Sequence, residues 1–112
     1  MSQISYSGTI LKVNGNPVML PHEILEAFDV QGVIIVFLDP DAELGSGGQY
    51  RNLIGYSSNG TKLWEAELPT TKKSDVYWKI AKRVPLTVYS FSSYECELDI
   101  STGKILRKDF YK

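Results

Sequence analysis

Short segments of β-favouring residues alternate rapidly with turn residues along this chain, and this alternation limits the fold more than any other feature. Seven tyrosines, four phenylalanines and two tryptophans accompany many valines, isoleucines and threonines, all of which favour strands. Turn signals recur at Asn14–Pro17, Ser57–Gly60 and Ser101–Gly103. The pattern predicts one all-β domain over residues 1–112, with about eight strands in mainly antiparallel hairpins. A small sandwich, a barrel or a twisted meander would satisfy it.

The strand predictions follow the positions of the turns. We predict strands at residues 4–13, 18–20, 30–38, 50–56, 61–68, 85–91, 93–100 and 104–110, with 76–81 as a strand or a short helical turn. Residues 30–38 are apolar on both faces, as in a central strand. In residues 61–68, Trp64, Ala66 and Leu68 share one face. The window Pro21–Phe28 has the apolar spacing and N-terminal proline of a short helix, with an irregular connector as the alternative.

The chain contains an internal repeat. Residues 53–64 align with residues 96–107 at an offset of 43 residues. Each copy reads as a strand, a polar turn that ends in glycine, and a second strand. Gly60 and Gly103 occupy the same position in the turn, where we expect a positive φ because glycine has no Cβ. The alternative is two ordinary hairpins that share a glycine turn.

This repeat resembles the blade signature of quinoprotein-type β-propellers, in which an aspartate, a glycine and a tryptophan recur at fixed spacing. The first copy has Trp64, but Tyr56 in place of the aspartate. The second copy has Asp99 and Gly103, but Arg107 in place of the tryptophan. The resemblance implies two blade-like meander units. The whole chain also resembles small bacterial proteins of unknown role that end in a similar strand pair.

Length restricts what this resemblance implies. A propeller blade takes about 40 residues, and a closed ring needs at least roughly four blades. The chain has 112 residues and therefore holds fewer than three blades. A closed propeller formed by one chain is excluded, and with it the central cofactor site of such a propeller.

Residues for metal binding or nucleophilic catalysis are scarce. His22 is the only histidine and Cys96 the only cysteine, so the chain forms no internal disulfide and falls short of the roughly four ligands of structural zinc. We expect Cys96 to be a small buried apolar residue. Its neighbours Glu95 and Glu97 would raise the pKa of the thiol, which is the wrong direction for a nucleophile. The sequence predicts no cofactor, no metal and no catalytic residue.

The net charge of −1 is unevenly distributed. The first fifty residues carry one lysine and six acids, a net charge of −5, whereas the remaining residues carry eleven basic and seven acidic side chains, a net charge of +4. The two halves attract each other within the fold or mark a charged partner. The low total disfavours nucleic-acid binding. No apolar run approaches the roughly 20 residues of a membrane span and no signal peptide is visible, so we expect no membrane partner and a cytoplasmic protein.

We predict a non-enzymatic domain that binds another protein through its loops and its aromatic residues. The candidate contact residues are Asp39, Asp41, Glu43, Tyr77 and Trp78. The three acids begin like a calcium loop, but Tyr50 stands where the closing glutamate is required, so residues 39–48 are interpreted as a contact loop, together with residues 69–75. For Tyr77 and Trp78 the alternative is a place in the core.

Three other functions stay open on the sequence alone. A bacterial immunity-type protein would cover a basic toxin surface with its acidic N-terminal half. A small-ligand-binding domain or carboxylate-based enzyme would use acids and tyrosines in a β cavity. A self-assembling module would form a homodimer through its open sheet edges.

Overall fold

The computed structural model describes residues 3–41 and 49–111, and within these ranges the chain forms eleven β-strands and no helix. The strands are β1 (Ile4–Ser7), β2 (Ile10–Val13), β3 (Asn16–Met19), β4 (Ile24–Val30), β5 (Val33–Leu38), β6 (Leu53–Tyr56), β7 (Lys62–Glu65), β8 (Tyr77–Lys82), β9 (Thr87–Ser90), β10 (Tyr94–Leu98) and β11 (Ile105–Phe110). The described chain has no helix with the length and apolar character that a membrane crossing requires.

The strands form three antiparallel sheets in which neighbours in the chain are neighbours in the sheet. The N-terminal sheet has the order β1-β2-β3, the middle sheet β4-β5-β6-β7, and the C-terminal sheet β8-β9-β10-β11. Over the described residues, none of these sheets closes into a barrel. The prediction of an all-β domain of antiparallel meanders is confirmed.

The middle sheet is buried on both faces, which explains the continuous apolar sequence of β5. Ile34 and Val36 pack with Leu11 of the N-terminal sheet in one core. Ile35, between them in sequence, faces the other way and packs with Val88 of the C-terminal sheet in a second core. Successive side chains of a strand point to opposite faces, so a strand between two other layers must be apolar throughout. The molecule is therefore a stack of three sheets.

The three sheets stack with their strands in the same order. On one side β1 packs beside β4, and Arg83, which follows β8, forms an ion pair with Glu26 of β4 at 2.6 Å. On the other side Met19 of β3 and Lys62 of β7 line one cleft, and the N–H of Glu67, which follows β7, donates to the carbonyl of Gly103, which precedes β11, at 2.9 Å. The first strand of each sheet thus lies on one side of the stack, and the last strand lies on the other.

The helix prediction for Pro21–Phe28 is wrong, and so is the irregular connector for most of this window, because β4 begins at Ile24. Phe28 and Val30 are buried with Asp29 between them only half-buried, which is the period of a strand. A helix of two turns satisfies few of its own backbone groups, whereas pairing with β5 satisfies those of β4 along its length.

Two of the predicted strands are each divided by a tight turn, which raises the number of strands. Residues 4–13 turn back at Gly8, with φ of 61°. Gln31 and Gly32 separate β4 from β5 with φ of 51° and 88°. Two consecutive positive φ angles are typical of a type I′ hairpin turn, and the N–H of Gly32 donates to the Asp29 carboxylate at 2.8 Å. Residues 76–81 form a strand, β8, rather than a helical turn.

The internal repeat coincides with equivalent strands of two sheets. Its first copy is the hairpin of β6 and β7, and its second copy is the hairpin of β10 and β11, the third and fourth strands of their sheets. Gly60 and Gly103 have φ of 90° and 73°, as predicted. The indole of Trp64 lies against Gly55 and Gly103, where a Cβ on either glycine would overlap the ring. Trp64 therefore docks the first copy on the turn of the second.

Candidate functional site

The structure places the first two predicted acids directly after β5, at one end of the middle sheet. The Asp39 carboxylate accepts a hydrogen bond from the N–H of Asp41 at 2.9 Å. The backbone carbonyl of Asp39 accepts one from the Tyr50 hydroxyl at 2.9 Å. Glu43 lies outside the described residues. Within the described ranges, no group of three or more His, Cys, Asp or Glu side chains is arranged to hold a metal ion.

Tyr77 belongs to the core and offers no contact surface to a partner. Its exposed fraction is 0%, and its hydroxyl donates to the carbonyl of Glu67 at 2.5 Å. Its backbone N–H donates to the buried side chain of Asn52. Burial raises the pKa of the phenol well above its usual range, and the neighbouring Cys96 adds to this effect. The core alternative stated for Tyr77 is the one that the structure shows.

Trp78, the next residue, points the other way and is 44% exposed. A register shift between Tyr77 and Lys79 marks a β-bulge at this point, which re-aims the side chain. The indole N–H donates to the carbonyl of Ser90 at 3.2 Å and to the hydroxyl of Tyr111 at 3.0 Å. Trp78 is thus held in one orientation while much of its ring stays accessible.

Three aromatic rings form a row on the side of the C-terminal sheet that faces away from the core. The ring centroids of Trp78 and Tyr89 are 6.1 Å apart, and those of Tyr89 and Tyr111 are 4.7 Å apart. Both distances fall in the range of favourable aromatic pairs. We call Trp78, Tyr89 and Tyr111 the aromatic row.

A cluster of charged side chains continues this surface. Glu95 lies opposite Tyr89 on one side and opposite Asp109 on the other. Arg107 contacts Glu95 at 3.2 Å, Glu97 at 3.6 Å and also Asp109. Its hydrogen bonds to Glu95, the larger effect, and to Asp109 raise the pKa of the Arg107 guanidinium. The aromatic row and this charged cluster together are called the outer face.

A buried carboxylate anchors the predicted contact loop, residues 69–75, beneath the aromatic row. Asp75 is 1% exposed and accepts hydrogen bonds from the hydroxyls of Thr70 at 2.6 Å and Ser92 at 3.0 Å. It also accepts the backbone N–H of Ser92 at 3.2 Å. The loop is therefore tied to the turn between β9 and β10 by a satisfied polar network.

Cys96 is fully buried, as expected, and the pKa of its thiol is raised to about 11. The predicted direction agrees, but the cause differs from the one inferred from the sequence. Burial is the largest contribution, and the charge of Asp75 adds to it. Glu95 and Glu97 point to the opposite face of β10, because neighbouring side chains of a strand alternate.

A cleft of about 390 Å³ lies between the end of the N-terminal sheet and the middle sheet. Its polar lining consists of His22, Gln49, Tyr50, Arg51, Tyr56, Lys62 and Glu65. Sequence reasoning missed this tyrosine cleft because its residues come from four separate segments. Of these residues, Tyr50 was considered in the sequence only as the residue that breaks the calcium-loop pattern, and this gave no indication of a cleft.

The electrostatics of the tyrosine cleft are mixed. The ring of His22 meets that of Tyr50 edge to face, with centroids 5.1 Å apart. Burial raises the pKa of Tyr50 to about 12, assisted by the charge of Asp39. Lys62 and Glu65 form an ion pair at 2.8 Å. Burial also raises the pKa of Tyr56, against the opposing effect of Lys62.

Comparison with known families identifies a relationship that covers nearly the whole chain. The model of a domain of unknown function, DUF7957, matches residues 1–110. No curated protein matches the chain significantly. Because the family model covers nearly the whole sequence, the chain with this three-sheet stack belongs to the DUF7957 family.

Proposed function

We propose that this domain binds another protein through the outer face of its C-terminal sheet. The observation that carries this proposal is the aromatic row, with Trp78 44% exposed at its end. Tryptophan, tyrosine and arginine are the residue types that dominate binding energy at protein interfaces. The outer face combines all three, with Arg107 beside the row.

The rigidity of the outer face supports the same function. The indole of Trp78 is fixed by two hydrogen bonds, and Tyr111 also donates its hydroxyl to the carbonyl of Ser90 at 3.2 Å. Immobilising a flexible side chain on binding costs roughly 0.5–1.5 kcal/mol. Rings that are already held in place avoid much of this cost.

Neutralisation of a toxin is a separate form of protein binding, and it would use the acidic surface at Asp39 and Asp41 rather than the outer face. Part of the acidic half is already occupied within the fold, because Glu26 is paired with Arg83. Asp39 and Asp41 lie at one end of the middle sheet, away from the outer face. A toxin partner would therefore show binding that weakens with salt and with Asp39→Asn and Asp41→Asn together.

The test compares immobilised wild-type domain with Trp78→Ala and with the control Leu63→Ala. Leu63 is 48% exposed, similar to Trp78, but lies on β7 outside the outer face. A protein retained by the wild type and by Leu63→Ala is purified, and its affinity is measured by calorimetry. We expect Trp78→Ala to weaken binding about thirtyfold, as at an interface hot spot. Equal affinity for all three forms would place the contact elsewhere and contradict the proposal.

A second candidate function is the binding of a small organic acid in the tyrosine cleft. Tyr56 lines the cleft, and within the described residues its hydroxyl makes no hydrogen bond. Arg51 and Lys62 line the same cleft and suit a carboxylate group, while Leu38 and Ile54 offer an apolar surface. The test is a thermal-shift screen of aromatic and aliphatic carboxylates. A hit that Tyr56→Phe does not weaken would contradict this site.

We also propose that the middle and C-terminal sheets are two copies of one blade-like unit. Support comes from the repeat, which occupies equivalent strands of two four-stranded meanders, and from the docking of Trp64 on the turn of the second copy. The Trp64 indole N–H donates to the carbonyl of Ile100 at 2.8 Å, which extends that contact. The proposal concerns architecture and implies no propeller cofactor.

A further inference from the structure

Among the residues that the structure describes, nothing pairs with the open edge of the last strand of the C-terminal sheet. β11 pairs with β10 on one side only, and every residue from Leu106 to Phe110 is exposed. Leu106 and Phe110 are large and apolar, and each is 62% exposed. An exposed edge strand with apolar side chains is a template for pairing with another strand.

The other edge strands carry features that discourage such pairing. β1, β3 and β7 have only four residues each, and β3 contains Pro17. β4 has one register shift and packs beside β1. β8 has two register shifts and carries Lys79 and Lys82. β11 has six residues, with one register shift near its beginning.

The backbone of β11 is oriented for a further partner. The N–H of Tyr111 donates to the carbonyl of Ser93 and so points toward the β10 side. In an antiparallel ladder the bonding direction alternates along the strand. The N–H and C=O groups of Lys108 and Phe110 therefore point away from β10, toward the open edge.

We propose that β11 pairs antiparallel with β11 of a second copy of this chain, about a twofold axis at Lys108. In this register Arg107 lies opposite Asp109 of the second copy, and Leu106 lies opposite Phe110 of the second copy. Opposite charges and apolar side chains that face each other stabilise a strand pair. Because the twofold axis repeats each pair, every contact occurs twice.

Side-chain direction and charge together favour this register over the registers that are shifted by one or by two residues. A shift of one residue would place core-side residues opposite outer-face residues. A shift of two residues would place Arg107 opposite itself in one direction and Asp109 opposite itself in the other, and like charges in direct opposition are destabilising.

At the twofold axis Lys108 lies opposite Lys108 of the second copy, but contacts within its own chain hold its ammonium group away from the axis. Its ammonium donates to the carbonyl of Pro69 at 3.0 Å and lies 5.1 Å from the centre of the Tyr94 ring. The two like charges therefore sit on the core side, each held by its own chain. The resulting dimer has one continuous sheet of eight strands with both outer faces on the same side.

This inference does not rest on the proposed function. Trp78 lies on β8, at the opposite edge of the same sheet, so Trp78→Ala should leave the dimer intact. Substitutions in β11 that prevent the dimer should leave each copy with its aromatic row.

The test measures the dissociation constant of the dimer by sedimentation equilibrium over a wide range of protein concentration. The key variant is Asp109→Arg. Within one chain it loses the ion pair with Arg107 but places an arginine opposite Glu95, whereas across the axis it places that arginine opposite Arg107 of the second copy. We expect the dissociation constant to rise about tenfold or more. The control Lys79→Asp reverses a charge at the other edge and should leave the constant unchanged.

A charge-exchange experiment makes the register testable. Arg107→Asp alone should also weaken the dimer, because its new carboxylate would lie opposite Asp109 of the second copy. When Asp109→Arg and Arg107→Asp are mixed, the two arginines of one chain lie opposite the two aspartates of the other, and a mixed dimer should form. Thermal denaturation establishes that each variant is folded before mixing.

Hydrogen exchange in the wild type is the second measurement and requires no variant. The amides of Lys108 and Phe110 should become more protected as protein concentration rises, while edge amides of β8 should not change. A wild type that stays monomeric at millimolar concentration would overturn the proposal. So would a dimer that Asp109→Arg leaves unchanged, or folded variants that fail to form the mixed dimer.

Discussion

Single residues decide how the sheets are held together, and Trp64 is the clearest example. Its indole lies between Gly55 of its own sheet and Gly103 of the next, and its N–H is satisfied by the carbonyl of Ile100. A large ring can approach a backbone this closely only where the backbone carries no Cβ. The two glycines therefore define the site that receives Trp64.

Replacement of Gly103 by alanine should cost much more stability than a positive φ alone explains. Gly8→Ala is the matched control, since Gly8 has φ of 61° and open space around the added Cβ. We expect a loss of about 1 kcal/mol for Gly8→Ala and about 1–3 kcal/mol more for Gly103→Ala, because the new methyl group overlaps the indole. Urea denaturation measures both losses, and equal values would show that Trp64 does not restrict this position.

Asp75 is the second residue with a large expected effect. Asp75→Ala removes the buried acceptor of the Thr70 and Ser92 hydroxyls and of the backbone N–H of Ser92, all of which are half-buried donors. We expect a loss of about 2–4 kcal/mol in the free energy of unfolding. Asp41→Ala, at an exposed position, should change it by no more than about 0.5 kcal/mol. A small effect at Asp75 would mean that the loop of residues 69–75 is not anchored there.

At the scale of elements, hairpin turns determine the number of strands, and the least obvious turn is that between β4 and β5. Gln31 has a φ of 51°, a conformation in which asparagine is much more common than glutamine. The sequence contains no Asn-Gly or Asp-Gly pair at this point. The sequence therefore predicted one strand over residues 30–38, whereas the chain reverses direction at Gln31 and Gly32, near the beginning of this segment.

Gln31→Asn should stabilise this hairpin. Asparagine followed by glycine is the preferred pair for a type I′ turn, and the substitution keeps the turn that Gly32 and Asp29 already form. We expect a gain of about 0.5–1 kcal/mol. The control Gln31→Ala lacks the preference of asparagine for positive φ and should bring no gain. Unchanged or lower stability of Gln31→Asn in thermal denaturation would contradict this interpretation of the turn.

At the scale of the whole molecule, burial within the stack raises the pKa of side chains in two separate regions. Burial raises the pKa of Cys96 from 9.0 to about 11 and that of Tyr50 from 10.0 to about 12, in different parts of the fold. A raised pKa means that the folded state keeps a proton that the unfolded state releases. Ionisation of the unfolded chain therefore favours unfolding at high pH.

Stability should be constant with respect to these groups below pH 9 and should fall as the pH rises from 9 toward 11 or 12, through the folded-state pKa values of Cys96 and Tyr50. Urea denaturation at several pH values measures this decline. Cys96→Ala should lower the stability through a cavity but should also make the decline between pH 9 and 11 shallower. An identical slope in the variant would show that Cys96 does not contribute.

Much of the fold was predictable because strand faces and glycine turns are local properties. The alternation along residues 61–68 placed Trp64, Ala66 and Leu68 on one face, and in the structure all three are buried. Gly60 and Gly103 predicted the turns of the repeat. The window Pro21–Phe28 failed because a spacing of three and four residues over so short a length also fits a strand with a bulge, and only the neighbouring strand β5 distinguishes the two.

Local chemistry in the sequence thus determined the all-β class, the repeated hairpins and the burial of Cys96, since each depends on residues close together in the chain. Only the tertiary structure decided that Tyr77 is buried while Trp78 is exposed, because a β-bulge and the stacked middle sheet set the direction of each side chain. The tyrosine cleft and the outer face were likewise beyond the sequence. Each is assembled from segments far apart in the chain, and their proximity follows from how the three sheets stack, which no local pattern records.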